Sequence, residues 1–213
     1  TVVPMGGFSH WPMVKNAEIL FQTILNEKIN IAIILDRDYR CDEELEGIKE
    51  KISDTVNYLH FWERKEIENY LINIDVIKKI VEMKLKRRNR LDLLDSYDKK
   101  IDQIFKDVCL DQVDNIVGAY TESIFNNRKN RKHLSEISTE CSREIRIKMD
   151  SIDEVLKLIP GKHVLANLST EFQKEFGVSL TNNEIIKFTK IDDVSNELIR
   201  VLNEVNKFRL GEL

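Results

Sequence analysis

The chain has 213 residues, of which 42% are hydrophobic and 33% charged, with a formal net charge of −4. That balance describes a water-soluble, helix-rich protein with a real core, in one large domain or two small ones. No apolar run approaches the ~20 residues that cross a bilayer, and no basic stretch followed by an apolar core opens the chain, so a cytoplasmic protein without a membrane partner is expected.

Thr1 opens the chain without Met, straight into the strand-like VVPMGG, as expected of part of something longer. Val2 and Val3 ahead of Pro4 suit an edge strand, and Gly6-Gly7 suit a tight turn. Met13, Val14, Ala17, Leu20, Phe21, Ile24 and Leu25 then recur at helical spacing. The apolar run 31–35, rich in β-branched residues and too short for a helix core, predicts a buried parallel strand ending at Asp36. A helix through 41–59 is expected after it, with Leu45, Ile48, Ile52, Val56 and Leu59 inward. Alternation of strand and helix implies a parallel sheet. Residues 59–62 read as a short third strand, and ERKEIENYLIN as the start of a helix.

From 74 to 157 the pattern is three long charged helices, a packed bundle rather than a coiled coil. IPGK at 159–162 breaks the run, and a helix follows that Gly177 is placed to end. Two short helices close the chain, the second capped by Asp192 or Asp193. The expected fold class is α/β: a small parallel sheet flanked by helices, with a large all-helical insertion or C-terminal helical subdomain. The segments expected are 1–74 for the α/β core, 75–157 for the helical insertion and 158–213 for a C-terminal helical part carrying the Pro-Gly-Lys turn.

Three cysteines, Cys41, Cys109 and Cys141, are far apart and odd in number, which argues against a disulfide framework or a CxxC zinc site. Charge is segregated along the chain. Residues 36–47 are acidic, whereas 84–90 (Lys84, Lys86, Arg87, Arg88, Arg90) and 127–133 (Arg128, Lys129, Arg131, Lys132) are basic and are the candidate DNA-tracking surface. Solvated helix faces are the simpler reading of such runs.

Asp36 and Asp38 lie two apart, so if strand geometry persists across Arg37 their carboxylates project to one side at the strand's carboxyl end. Open α/β sheets place ligands at that edge, and two close carboxylates call for a proton or a hard cation such as Mg²⁺ or Mn²⁺. An acidic turn capping the next helix explains the same residues. Glu66 and Glu68 read equally as metal ligands or as first-turn acids of a helix. His10, His60, His133 and His163 show no paired metal-binding spacing, and Trp11, Phe61 and Trp62 read as packing residues.

Taken together and in order, VVPMGGFSHW, ILDRDYR, FWERKEIENYLI and PGKHVLANL resemble the TOPRIM nuclease half of OLD-family (overcoming lysogenization defect) ATP-dependent endonucleases. The resemblance covers the first 75 residues, returns at 159–170, and says little of the helices between. It implies that Asp36 and Asp38 are a DxD metal pair, that Glu66 and Glu68 are the family's second acidic pair, with Glu68 the better ligand, and that Lys162 offsets charge on the scissile phosphate. It further implies two Mg²⁺ or Mn²⁺ ions, DNA as substrate, an ATPase domain on the same or a partner chain, a homo-oligomer and a role in antiphage defence. One residue departs from the pattern: the glutamate of an E-G-x-x-D segment that opens a TOPRIM domain has no counterpart before Asp36.

Hydrolysis of a phosphodiester needs an activated water and charge neutralisation, for which four carboxylates and one lysine are a suitable set. Two rival functions remain. A phosphatase of the haloacid dehalogenase type also ends a strand in DxD but wants Thr or Val where Arg40 stands. A catalytically incomplete scaffold, binding DNA or a partner protein through its helices, is the other.

Overall fold

The computed structural model describes residues 12–25, 30–127 and 132–212; the strand and GG turn expected at 2–7, with Trp11, lie outside them. The helix α1 (Pro12–Leu25) forms as its periodicity implies, and it carries Met13, Ile19, Leu20, Phe21 and Ile24 exposed. The first described strand, β1 (Ala32–Leu35), is followed by α2 (Asp42–Ile52) and β2 (Tyr58–Phe61). β1 and β2 pair in parallel, with Ala32 opposite Tyr58 and Leu35 opposite Phe61.

Two sequence expectations change here. The helix after β1 stops at Ile52 rather than running to 59, because Leu59 is needed in β2, where it pairs with Ile33. Nor is β1 buried on both faces: Ile33 and Leu35 pack against Ile48 and Ile52 of α2, while Ile34, on the other face, is 38% exposed.

Beyond β2 the chain is helical: a 3-10 turn (Ile67–Leu71), α3 (Ile74–Arg87), a second 3-10 turn (Leu91–Leu93), α4 (Tyr97–Leu110), α5 (Val113–Asn127), α6 (Leu134–Lys148) and α7 (Ile152–Leu158). Of the three long helices expected over 74–157, the first forms as α3, while the second divides into a 3-10 turn, α4 and α5 and the third into α6 and α7. The KEIENYL segment is a 3-10 turn that ends where Asn73 caps α3, its side chain accepting from Val76 N–H at 3.1 Å. Breaks at 111–112 and 149–151 separate α4 from α5 and α6 from α7.

The chain ends with α8 (Gly161–Phe176), α9 (Asn182–Phe188), a short 3-10 turn (Ile191–Asp193) and α10 (Asn196–Leu210). Gly177 ends α8 in the left-handed region (φ 69°), as its position implied. The cap of α10 is Ser195, accepting from Leu198 N–H at 3.2 Å; Asp192 and Asp193 belong to the preceding 3-10 turn.

One apolar core joins α3 to α9, with Ile77, Ile80, Ile101, Ile116, Phe172 and Phe176 almost fully enclosed. Ile77 and Ile80 lie three apart on α3 and Phe172 and Phe176 four apart on α8, the spacing that gives one buried stripe. A boundary at 157/158 would pass through this core, since Val155, Leu158, Val164 and Leu168 all belong to it. Cys41, Cys109 and Cys141 are free and buried, and no described helix is long and apolar enough to cross a membrane.

Candidate functional site

β1 delivers Asp36 at its carboxyl end, but strand geometry does not continue across Arg37. Asp38 takes the left-handed conformation (φ 52°), which costs a non-glycine residue energy and which Asp tolerates better than most. Its N–H donates to the Lys65 carbonyl at 2.8 Å, and the Ile67 N–H donates to Asp36 Oδ1 at 3.0 Å. The DRD turn is thus stitched to the segment leaving β2. Asp36 and Asp38 come near each other through this turn and not through the pleat.

The 65–69 segment in turn clamps the start of α8. Lys65 N–H donates to the Lys157 carbonyl at 3.0 Å, and Glu66 Oε1 accepts from Lys162 N–H at 2.6 Å. Asn69, fully buried, donates from Nδ2 to the carbonyls of Leu156 (2.8 Å) and Ile159 (2.7 Å). Gly161 has to be glycine here. A Cβ at that position would stand 2.4 Å from Asn69 Oδ1 and 2.7 Å from Asn69 N. These contacts carry Lys162 across more than ninety intervening residues, and its Nζ lies 3.4 Å from Glu68 Oε1.

Asp36, Asp38, Glu66, Glu68 and Lys162 therefore share one site, and their charges are felt there. Burial raises the Asp36 pKa, the neighbouring charges of Asp38 and Glu68 raise it further, and the Ile67 amide and Lys162 oppose them. The Glu68 charge, with help from Glu66 and Asp36, holds the Lys162 pKa above its ordinary value against desolvation, which lowers it.

The four carboxylates are not equivalent. Both Glu66 oxygens are engaged, Oε1 by Lys162 N–H and Oε2 by Lys65 Nζ at 3.1 Å, so Glu66 acts as a clamp on α8. Glu68 Oε2, by contrast, is buried without a hydrogen-bond partner. Oxygen donors with an orphaned anionic oxygen suit a hard divalent cation in kind. Lysines stand among them, however, and among the described residues no three His, Cys, Asp or Glu side chains form a ready-made metal cage. Lys65 is the site residue that sequence reading passed over. Its only signal was a basic residue beside the acidic pair.

A cleft of about 650 Å³ opens from Glu68 and Lys162 along the outer face of α8, past Ala166, Ser169 and Gln173, to Ser179 and Asn182. The end of α3 meets its far side, where Lys84 Nζ donates to the Ser179 carbonyl at 2.6 Å and Arg88 donates to the Gly177 carbonyl. Most of the basic run is internally paired. Lys84 also bridges Glu184 at 2.6 Å, Lys86 pairs with Glu82 at 2.5 Å, and Arg90 makes two bonds to Asp92. Arg87 is exposed, Lys132 pairs with Glu140 at 2.7 Å, and Arg128, Lys129 and Arg131 lie outside the described residues.

Behind the site, Glu197 of α10 is a second feature the sequence did not announce. It accepts from Glu63 N–H at 2.8 Å, pairs with His60 Nε2 at 2.9 Å and receives the Tyr70 hydroxyl. Trp62 is buried between His60 and Tyr70, with ring centroids 4.9 and 5.1 Å away, in line with its expected packing role. α10 is thereby fastened to both ends of the 63–70 segment.

No family model, no curated protein and no solved structure matches the chain.

Proposed function

We propose that the chain is a divalent-metal-dependent DNA endonuclease domain of the TOPRIM kind, working within a larger OLD-like ATPase–nuclease in antiphage defence. The observation that carries this reading is the meeting of Asp36, Asp38 and Glu68 with Lys162 from three separate stretches of chain at the end of β1. Carboxylates brought that close without a partner repel, and folding has to be offset elsewhere to keep them there. Asp36, Asp38 and Glu68 would hold Mg²⁺ or Mn²⁺, which when bound activates a water and neutralises the phosphate.

The chain's own residues do the rest. Lys162 is 65% exposed at the mouth of the cleft, so its ammonium can leave Glu68 for a phosphate oxygen. Glu66 and Asn69 hold α8 so that this lysine stays in reach. The cleft along α8 gives the strand beside the scissile phosphate a path toward Arg87 and Arg88. The absence of a ready-made cage among the described residues favours the second reading, a scaffold that binds DNA or a partner without cleaving it.

Plasmid nicking in Mg²⁺ or Mn²⁺ separates the two. Metal-dependent cleavage that Asp36→Ala and Lys162→Ala each lower by about 10²-fold or more is expected. Cleavage undiminished in Asp36→Ala excludes the proposed chemistry, and no cleavage with no cation binding leaves the scaffold.

A further inference from the structure

The cleft along α8 is lined for bases more than for phosphates. Lys162, Ala166, Thr170 and Gln173 recur three or four residues apart and are all exposed, so they share one face of α8 over ~16 Å. Leu165 and Leu180, both buried, give the cleft an apolar base, and Asn182 adds an amide at its far end. Its 650 Å³ falls within the ~300–1,000 Å³ of sites that enclose a small organic ligand, the size of a nucleotide or two.

Cations are few there. Among the described residues lining the cleft, Lys162 and Lys174 are the basic ones, and Lys174 pairs with Glu171 at 2.7 Å. Lys84, at the far side, is 16% exposed and engaged by Glu184. A duplex carries one phosphate charge per ~1.7 Å of its axis, and proteins that track it make about 6–10 phosphate contacts. One exposed ammonium at the mouth of the cleft cannot supply them. Neutral hydroxyls and amides above an apolar base suit a nucleotide whose base face and edge are uncovered. In a duplex those surfaces are already stacked and paired, and drawing a base out costs free energy. We propose that the cleft receives one or two unpaired nucleotides beside a phosphate held at Lys162, so that the substrate is a single strand or the unpaired end of a duplex, and not continuous duplex. This rests on the nuclease reading, which places the scissile phosphate at Lys162.

Anisotropy of a labelled oligonucleotide in EDTA, single-stranded and annealed to its complement, tests the inference apart from cleavage. The single strand should bind about tenfold tighter or more. Its log affinity should fall with log salt at a slope of only about −0.7 to −1.4, for one or two phosphates. Ala166→Leu fills the cleft without adding charge and should weaken single-strand binding about fivefold, with the unfolding midpoint unchanged. Duplex bound as tightly as the single strand, or an Ala166→Leu protein of unaltered affinity, overturns the inference. Cleavage of a single-stranded circle against a relaxed duplex circle in Mg²⁺ or Mn²⁺ is the second arm. Equal cleavage of both circles overturns the inference and leaves the nuclease reading intact. Single-strand binding in the cleft with no cleavage overturns the nuclease reading and supports the placement of the strand, and no binding of either oligonucleotide overturns the inference.

Discussion

Gly161→Ala is the perturbation whose sign the structure decides most sharply. On propensity alone, replacing a glycine at the start of a helix should help slightly, because alanine loses less backbone entropy on folding, an effect of about 0.4–1 kcal/mol. The packing says the opposite. The new methyl would lie 2.4 Å from Asn69 Oδ1, 2.7 Å from Asn69 N and 2.9 Å from Asn69 Cγ, and one of these contacts is backbone. Asn69 cannot yield freely, since its Nδ2 is bonded to the carbonyls of Leu156 and Ile159. Overpacking of this kind costs about 1–3 kcal/mol, and losing one or both amide bonds adds ~1 kcal/mol each. Less the entropic gain, the variant should lose about 2–4 kcal/mol, or roughly 5–15 °C in Tm for a chain of this size. Urea unfolding and a thermal scan measure it. Gly118→Ala is the control: it lies in α5, where a Cβ meets nothing within 4 Å, and should gain up to ~1 kcal/mol. A Gly161→Ala protein as stable as the parent would refute the claim that α8 is seated directly on Asn69.

Two further outcomes follow from the site's surroundings. Burial pushes the Glu197 pKa up, but hydrogen bonds from His60, Tyr70 and the Glu63 amide outweigh it and hold the carboxyl below its ordinary value. A depressed acid stabilises the fold above its unfolded pKa, and that stabilisation is lost as pH falls through the folded value. Glu197→Gln should therefore cost about 1.5–3 kcal/mol at pH 7, with the gap closing below pH ~4.5; a gap that widens on acidification in urea titrations contradicts the network. In the cleft, Ala166→Glu places a carboxylate on an exposed face of α8 and should weaken binding of a single-stranded oligonucleotide by about tenfold, ~1.4 kcal/mol, with little change in unfolding midpoint. Unchanged anisotropy titrations would remove the cleft from the strand's path.

Local pattern determined much of this protein. The apolar run before Asp36, the periodicity of α3 and α8 and the stop at Gly177 are all legible from residue order, because each depends on neighbours within a few positions. Asp36 and Asp38 were likewise nameable from their spacing after the strand, whereas Glu66, Glu68 and Lys162 were singled out through the family resemblance. What residue order left open was their meeting and their division of labour. Glu66 and Glu68 look alike in KEIENYL, yet only the arrival of Lys65 and of the α8 amide engages both oxygens of the first and leaves one oxygen of the second bare. The Asp38 turn, the splitting of the long helices and the Glu197 network were decided by contacts between residues far apart in the chain. Those contacts form only once α3 to α9 have closed on a common core, so no window of a dozen residues contains the forces that set them.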